Sequence, residues 1–133
     1  MLTLEQVADW IEANVKELTG VVSVGCIDGN KEKYVGVYPL RGGTMQRICI
    51  GGKEQTKYQS KRVSILIHWT KDMRQAEQKA NEMYELLYGL TNVQMGGTNV
   101  VLIDAGESPV PVGKDTQGIC EFVIQATILY ERT

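Results

Sequence analysis

The chain has 133 residues, 43% of them hydrophobic and 23% charged, with 14 Lys and Arg against 16 Asp and Glu for a formal net charge of −2. That length suits one domain over residues 1–133, able to bury roughly two-thirds of its unfolded surface. The mixed charge argues against a strong nucleic-acid binder, three scattered cysteines are too few for a disulfide framework, and no apolar run is long enough to cross a bilayer.

The opening M-L-T-L-E-Q-V-A-D-W carries acids early and no basic stretch, so it is not expected to act as a signal peptide. Thr3 with Gln6 makes a capping-box pattern. Leu4, Val7, Ala8, Ile11, Val15 and Leu18 form an apolar stripe with Trp10 on its flank, which predicts a first helix ending at Gly20. Residues 21–27 read as a strand. Asp28-Gly29-Asn30 is a turn signal, and residues 33–40 read as that strand's partner, with Pro39 marking an edge or an exit.

Residues 41–61 are polar, contain four glycines and have little to bury. They read as a flexible loop or a long hairpin, with Gly42-Gly43 as a pliant start, residues 47–50 as a short strand and Gly51-Gly52 as a turn. Next comes R-V-S-I-L-I-H-W. Val63, Ile65, Ile67 and Trp69 share one face at period two, and Arg62, Ser64, Leu66 and His68 share the other. Thr70 or Asp72 can cap the helix that follows. Its apolar stripe is Met73, Ala76, Ala80, Met83, Tyr84 and Leu87; Arg74, Gln78, Asn81 and Glu85 face water, and Gly89 closes it. Residues 92–95 and 100–105 then form a hairpin around Gly96-Gly97. Residues 106–115 read as a loop stiffened by Pro109 and Pro111.

The last strand is the longest. Cys120, Phe122, Ile124, Ala126, Ile128 and Tyr130 make a face strong enough to place it centrally in a sheet. The fold class is therefore α+β: a single mainly antiparallel sheet with two helices packed on one face and extended loops.

Chemistry is hard to find. His68 is the only histidine, and no Ser or Cys stands at a spacing that suggests a nucleophile for it. A hydrogen-bonded structural role is the plainer reading. Cys26, Cys49 and Cys120 lack metal-ligand spacing. Gly51-Gly52-Lys53 and Gly113-Lys114-Asp115 hint at phosphate loops but lack the Walker A pattern, and turn formation explains both. Glu77, Glu82 and Glu85 fit a solvated helix face better than a carboxylate pair. Tyr34, Tyr38, Tyr58 and Tyr88 have no interleaved basic run that would make them a stacking platform. No cofactor, no metal and no catalytic residue is expected.

One set of segments goes further: G-G-K-E-Q-T-K-Y, S-I-L-I-H-W, A-E-Q-K-A-N-E-M-Y-E-L-L-Y-G and P-V-P-V-G-K-D-T-Q-G-I-C-E-F-V-I-Q-A-T-I-L-Y-E-R. Together they resemble the small minor capsid or tail terminator proteins of long-tailed phages and prophages, over residues 51–132 and more loosely at the first helix and G-V-Y-P. The resemblance implies a structural virion protein, not an enzyme. It implies a homo-hexameric ring at the head-proximal end of the tail tube that stops tube growth and meets the head connector, with DNA passing through the lumen unbound. Two contact regions follow as expectations: Arg41, Gly42, Gly43, Arg47 and Lys53 in one loop, and Pro109, Pro111, Lys114 and Asp115 in the other. Against these stands the plainer reading that both are ordinary surface loops. Three other readings compete: a head-completion or tube subunit, a small cytosolic enzyme using His68, and a nucleic-acid-binding module.

Overall fold

A computed structural model of the chain describes residues 1–41 and 48–132. The first helix, α1, runs Leu4–Asn14 and opens on the predicted capping box. The Gln6 backbone N–H donates to the Thr3 hydroxyl, and the Thr3 N–H donates back to the Gln6 side-chain oxygen. Two backbone donors that a helix start leaves orphaned are thereby satisfied. The helix stops five residues or so before Gly20, at variance with the sequence reading. Val15 is already extended and Glu17 has φ 69°. Val15 and Leu18 are nevertheless buried. The apolar spacing persisted after the helical backbone had ended, so it gave no warning of the break.

β1 is Val22–Val24 and β2 is Tyr34–Pro39. They pair parallel, Val22 opposite Val35, and do not form the hairpin that Asp28-Gly29-Asn30 suggested. The turn itself is real, since Asp28 accepts from the Asn30 N–H as Asx turns do. It only bends a wider loop, which begins at Gly25 with φ 75° and returns the chain to run the same way as before.

β3 spans Tyr58–His68 and β7 spans Cys120–Glu131; they pair antiparallel over their whole common length, from Tyr58↔Glu131 to His68↔Glu121. The first of these strands begins at Tyr58, so the tail of the expected 41–61 loop is sheet. Inner-face partners Val63↔Ala126, Ile65↔Ile124 and Ile67↔Phe122 are buried. The Val, Ile and Phe side chains among them each contribute about 1.5–3 kcal/mol of transfer free energy, and this ladder is the spine of the core.

α2, Met73–Leu87, is capped by Asp72, whose carboxylate accepts from the Arg74 N–H. Ala76 and Ala80 are wholly buried, and their small side chains let the helix lie close on the sheet. One stripe position differs from expectation, and one residue outside the stripe is buried with it. Met73 is exposed, while Lys79 is buried. The Lys79 ammonium donates to the Lys16 carbonyl at 2.8 Å, pairs with Glu82 at 3.2 Å and sits 5.2 Å from the Trp69 ring centre. A buried lysine is tolerable because its charge is met on three sides and its stem is apolar.

β4 (Thr91–Met95) and β5 (Thr98–Asp104) form the predicted glycine-turn hairpin. β6, Val110–Lys114, is a strand where the sequence suggested a loop; it pairs antiparallel with the first part of β7. The sheet has seven strands in the order β1-β2-β3-β7-β5-β4, with β6 beside β7. β7 is central, as its apolar face predicted. Both helices lie on one face. The sheet curls, so that α1 touches β1 and β2 near one edge and β4 at the other. At that second edge Gly96 lies against the Gln6 side chain, and its φ of 62° is a conformation that favours glycine. The architecture is α+β.

Candidate interaction surface

The described ends of the 41–53 segment are held in different ways. The Arg62 guanidinium on β3 donates to the Arg41 carbonyl at 3.0 Å. Past the other end, residues 49–56 close on themselves: the Thr56 hydroxyl donates to the Gly52 carbonyl at 2.7 Å, and the Cys49 N–H donates to that hydroxyl at 3.1 Å. Gly52 has φ 78°, a conformation that favours glycine. Lys53 opens the single short helical turn Lys53–Gln55. The Thr56 hydroxyl also holds the Cys49 thiol pKa below its ordinary value, an effect that partial burial opposes. Ile48 and Ile50 are exposed, Ile50 completely. They lie in a turn, not in the short strand expected for residues 47–50. Gly42, Gly43 and Arg47 lie outside the described residues.

The second region is better built. Pro109 leads into β6, Pro111 stands opposite Phe122, and Lys114 stands opposite Cys120. The register slips between Pro111 and Gly113, and Gly113 absorbs the irregularity at φ 115°. β6 pairs with β7 alone, so its other side is an open edge among the described residues. Val110 is 51% exposed and Val112 57%. Prolines, a slipped register and a short span are common on edges that do not pair indiscriminately. What the edge offers is two apolar side chains on a stiffened backbone.

Asp115 plays a local part. One carboxylate oxygen accepts from the N–H groups of Gln117 and Ile119, both at 2.9 Å, and so shapes the turn from β6 into β7. Those donations, Ile119's above all, together with nearby His68, hold the Asp115 pKa below its ordinary value against the effect of burial. Sequence reasoning placed this residue in a docking loop and did not see its contact with His68. The alternation of β3 put His68 on the face opposite the main core but gave no sign of which residues would meet it there.

A recess of about 360 Å³ opens where β5 leaves β7 and β6 takes over, lined by Arg62, Asp104, Gly106, Glu107, Gln125 and Thr127. Its charges are mixed and it is wide open, without the convergent polar groups of a small-molecule site. His68 is 1% exposed, so its imidazole presents no reactive face to solvent. Among the described residues no group of three or more His, Cys, Asp or Glu lies close enough to hold a metal ion. No helix is long and apolar enough to cross a membrane among them.

Comparison with known proteins adds one specific finding. The family model described as bacteriophage tail terminator protein matches residues 1–132. No curated protein matches the chain. Among solved structures, one chain is 17% identical, with 96% of this chain and 87% of that one covered at a TM-score of 0.48; a likeness at that level carries no argument.

Proposed function

Since the chain belongs to the bacteriophage tail terminator family, a family of structural phage tail proteins, we propose that copies of it form a hexameric ring on the head-proximal end of a long tail, stop growth of the tail tube and join the tail to the head connector. The observation that carries this reading is the family match over residues 1–132. The open edge of β6 supports it. A closed ring of identical copies needs a heterologous interface, in which one patch meets a different patch on the neighbour. In this reading the β6 edge, strand-shaped and apolar, and the segment from Arg41 to Lys53, whose described part at residues 48–53 is built of turns, serve as the two unlike patches.

Strand edges bind by extending a ladder, and exposed valines add specificity through alternate side chains. Pro109 and Pro111 restrict the free chain, so less ordering entropy is lost on docking. A formal net charge of −2 suits a conduit through which DNA passes without being gripped. In this reading Pro109, Pro111, Lys114, Arg41, Gly42, Gly43, Arg47 and Lys53 meet neighbouring copies, tube or connector, and the whole chain acts as one virion domain.

Mass measurement by light scattering on concentrated protein, with negative-stain imaging beside it, tests the ring. A closed particle of uniform mass is expected. An open polymer of indefinite length assigns the chain to the tube instead. For the first contact region, deletion of residues 42–47 is expected to give particles with abnormal or unattached tails. Normal virions with tails of normal length exclude an essential role for that segment.

A further inference from the structure

His68 is buried beside the turn at Asp115–Ile119, whose Asp115 carboxylate approaches its ring. On β3 it stands between Tyr34 of β2 and Glu121 of β7, on the sheet face opposite the helices. The turn at 28–31 is tied to the Asp115–Ile119 turn, because the Gln117 side-chain amide donates to the Asn30 side-chain oxygen at 2.8 Å.

The imidazole is gripped from two sides. Its Nδ1 is 2.9 Å from Glu121 Oε2, and its Nε2 is 3.7 Å from Asp115 Oδ2. An ionised carboxylate can only accept, so the proton on the Nδ1 side is fixed as a donor to Glu121. In the neutral ring Nε2 is then a bare lone pair facing a second carboxylate oxygen. That atom has no hydrogen-bond partner, the one such buried side-chain nitrogen or oxygen among the described residues. In the charged ring the same atom is an N–H aimed at Asp115. At 3.7 Å the pair is too long for a hydrogen bond, and a movement of about 1 Å by the turn would make it one.

We propose that protonation of His68 latches the Asp115–Ile119 turn, and with it the end of β6, onto the face of the sheet, and that loss of the proton releases it. The other groups around the ring do not replace His68 in this role. Tyr34 and Tyr38 come from β2, and Tyr38 lies near Glu121 and Cys26, where burial first and those two acids next raise its phenol pKa. Glu121 is already engaged through Nδ1. Asp115 is the one partner that belongs to a turn and not to the sheet's middle, so it is the side that moves. The latch is a property of the single chain and does not depend on assembly.

The chain has one histidine, so an NMR titration of the imidazole carbon-bound protons reads His68 without ambiguity. Across the titration, the amide protection factors of Gln117, Gly118 and Ile119 are expected to follow the imidazole signal with a common midpoint. The change expected is roughly tenfold, greater protection accompanying the charged ring, as for one charge-assisted hydrogen bond. In Asp115→Asn the turn's own bonds survive, because an amide oxygen also accepts from Gln117 and Ile119. The coupling to the imidazole should vanish there. Turn amides that ignore the imidazole, an imidazole that does not titrate while the fold stays intact, or an equal response in Asp115→Asn would each overturn the latch.

Discussion

The Tyr84 hydroxyl on α2 lies 2.7 Å from the Gly106 carbonyl oxygen and 2.9 Å from that of Glu107, so one helix side chain anchors the passage from β5 to β6. A hydroxyl has one hydrogen to donate, and the two carbonyls share it. Burial, with Tyr88 next, raises the Tyr84 phenol pKa, which keeps that hydrogen in place at neutral pH. Tyr84→Phe should therefore leave the fold intact while residues 106–110 exchange their amide hydrogens several-fold faster, measured against the unchanged ladder of β3 with β7.

The spine of the sheet should be the costliest place to remove volume. Ile65 and Ile124 face each other on the inner side and are at most 1% exposed. Ile124→Ala is expected to destabilise the protein by about 2–5 kcal/mol, and Ile124→Val by about 0.5–1.5 kcal/mol. Urea unfolding of the isolated chain measures both.

Helix caps should show a smaller, separable effect. Thr3→Ala removes the acceptor for the Gln6 N–H, and Asp72→Ala removes that for the Arg74 N–H. Each is expected to cost about 1 kcal/mol. The two caps sit on different helices, so the double variant should lose about the sum; thermal melts of the four proteins check this.

Acid should act through Asp115. Its pKa in the folded chain lies below the ordinary 3.8. A carboxyl depressed by folding adds stability above its unfolded pKa, and that stability is lost as pH falls through the folded value. The stability curve should therefore drop below about pH 4, and Asp115→Asn should flatten that limb. Denaturant midpoints across pH 2–6 are the measurement.

The β6 edge is the place where folding and assembly should part. Val110 and Val112 are exposed in the single chain, so Val110→Lys with Val112→Lys is expected to change stability by no more than about 0.5 kcal/mol. If the edge docks on a neighbour, the same double variant should fail to complement a phage lacking the protein. Full complementation by a normally folded variant would remove β6 from the interface.

Much of this was legible in the sequence where period and burial coincide over a long stretch. The alternation from Cys120 to Tyr130 named a central strand, and Val63 to Trp69 named the strand it pairs with. The capping box at Thr3 was equally plain, and the cap of the second helix was narrowed to Thr70 or Asp72, of which Asp72 is the one found. Legibility failed where local signals had a second solution. Asp28-Gly29-Asn30 marks a turn, but a turn does not say whether the strands around it run opposite or alike. Pro109 and Pro111 argue against a strand, yet an edge strand needs fewer ladder donors and can hold prolines. The burial of Lys79 was not foreseen, because its partners, the Lys16 carbonyl and the Trp69 ring, are distant in sequence. Tyr58 to Lys61 are polar and carried no apolar alternation, so only the register with β7 shows them to be sheet. His68 with Asp115 and Glu121 is a meeting of residues from two strands and a turn, and no spacing along the chain encodes it.

β7 lies in the middle of the sheet and follows β1 to β6 along the chain. β3 on one flank and β5 and β6 on the other have no common neighbour other than Cys120–Glu131. The β1-β2-β3 part of the sheet and the β5-β4 part with β6 are therefore joined only through β7. A copy cut short before this segment loses the strand on which both parts of the sheet pair, and is expected not to reach the folded state.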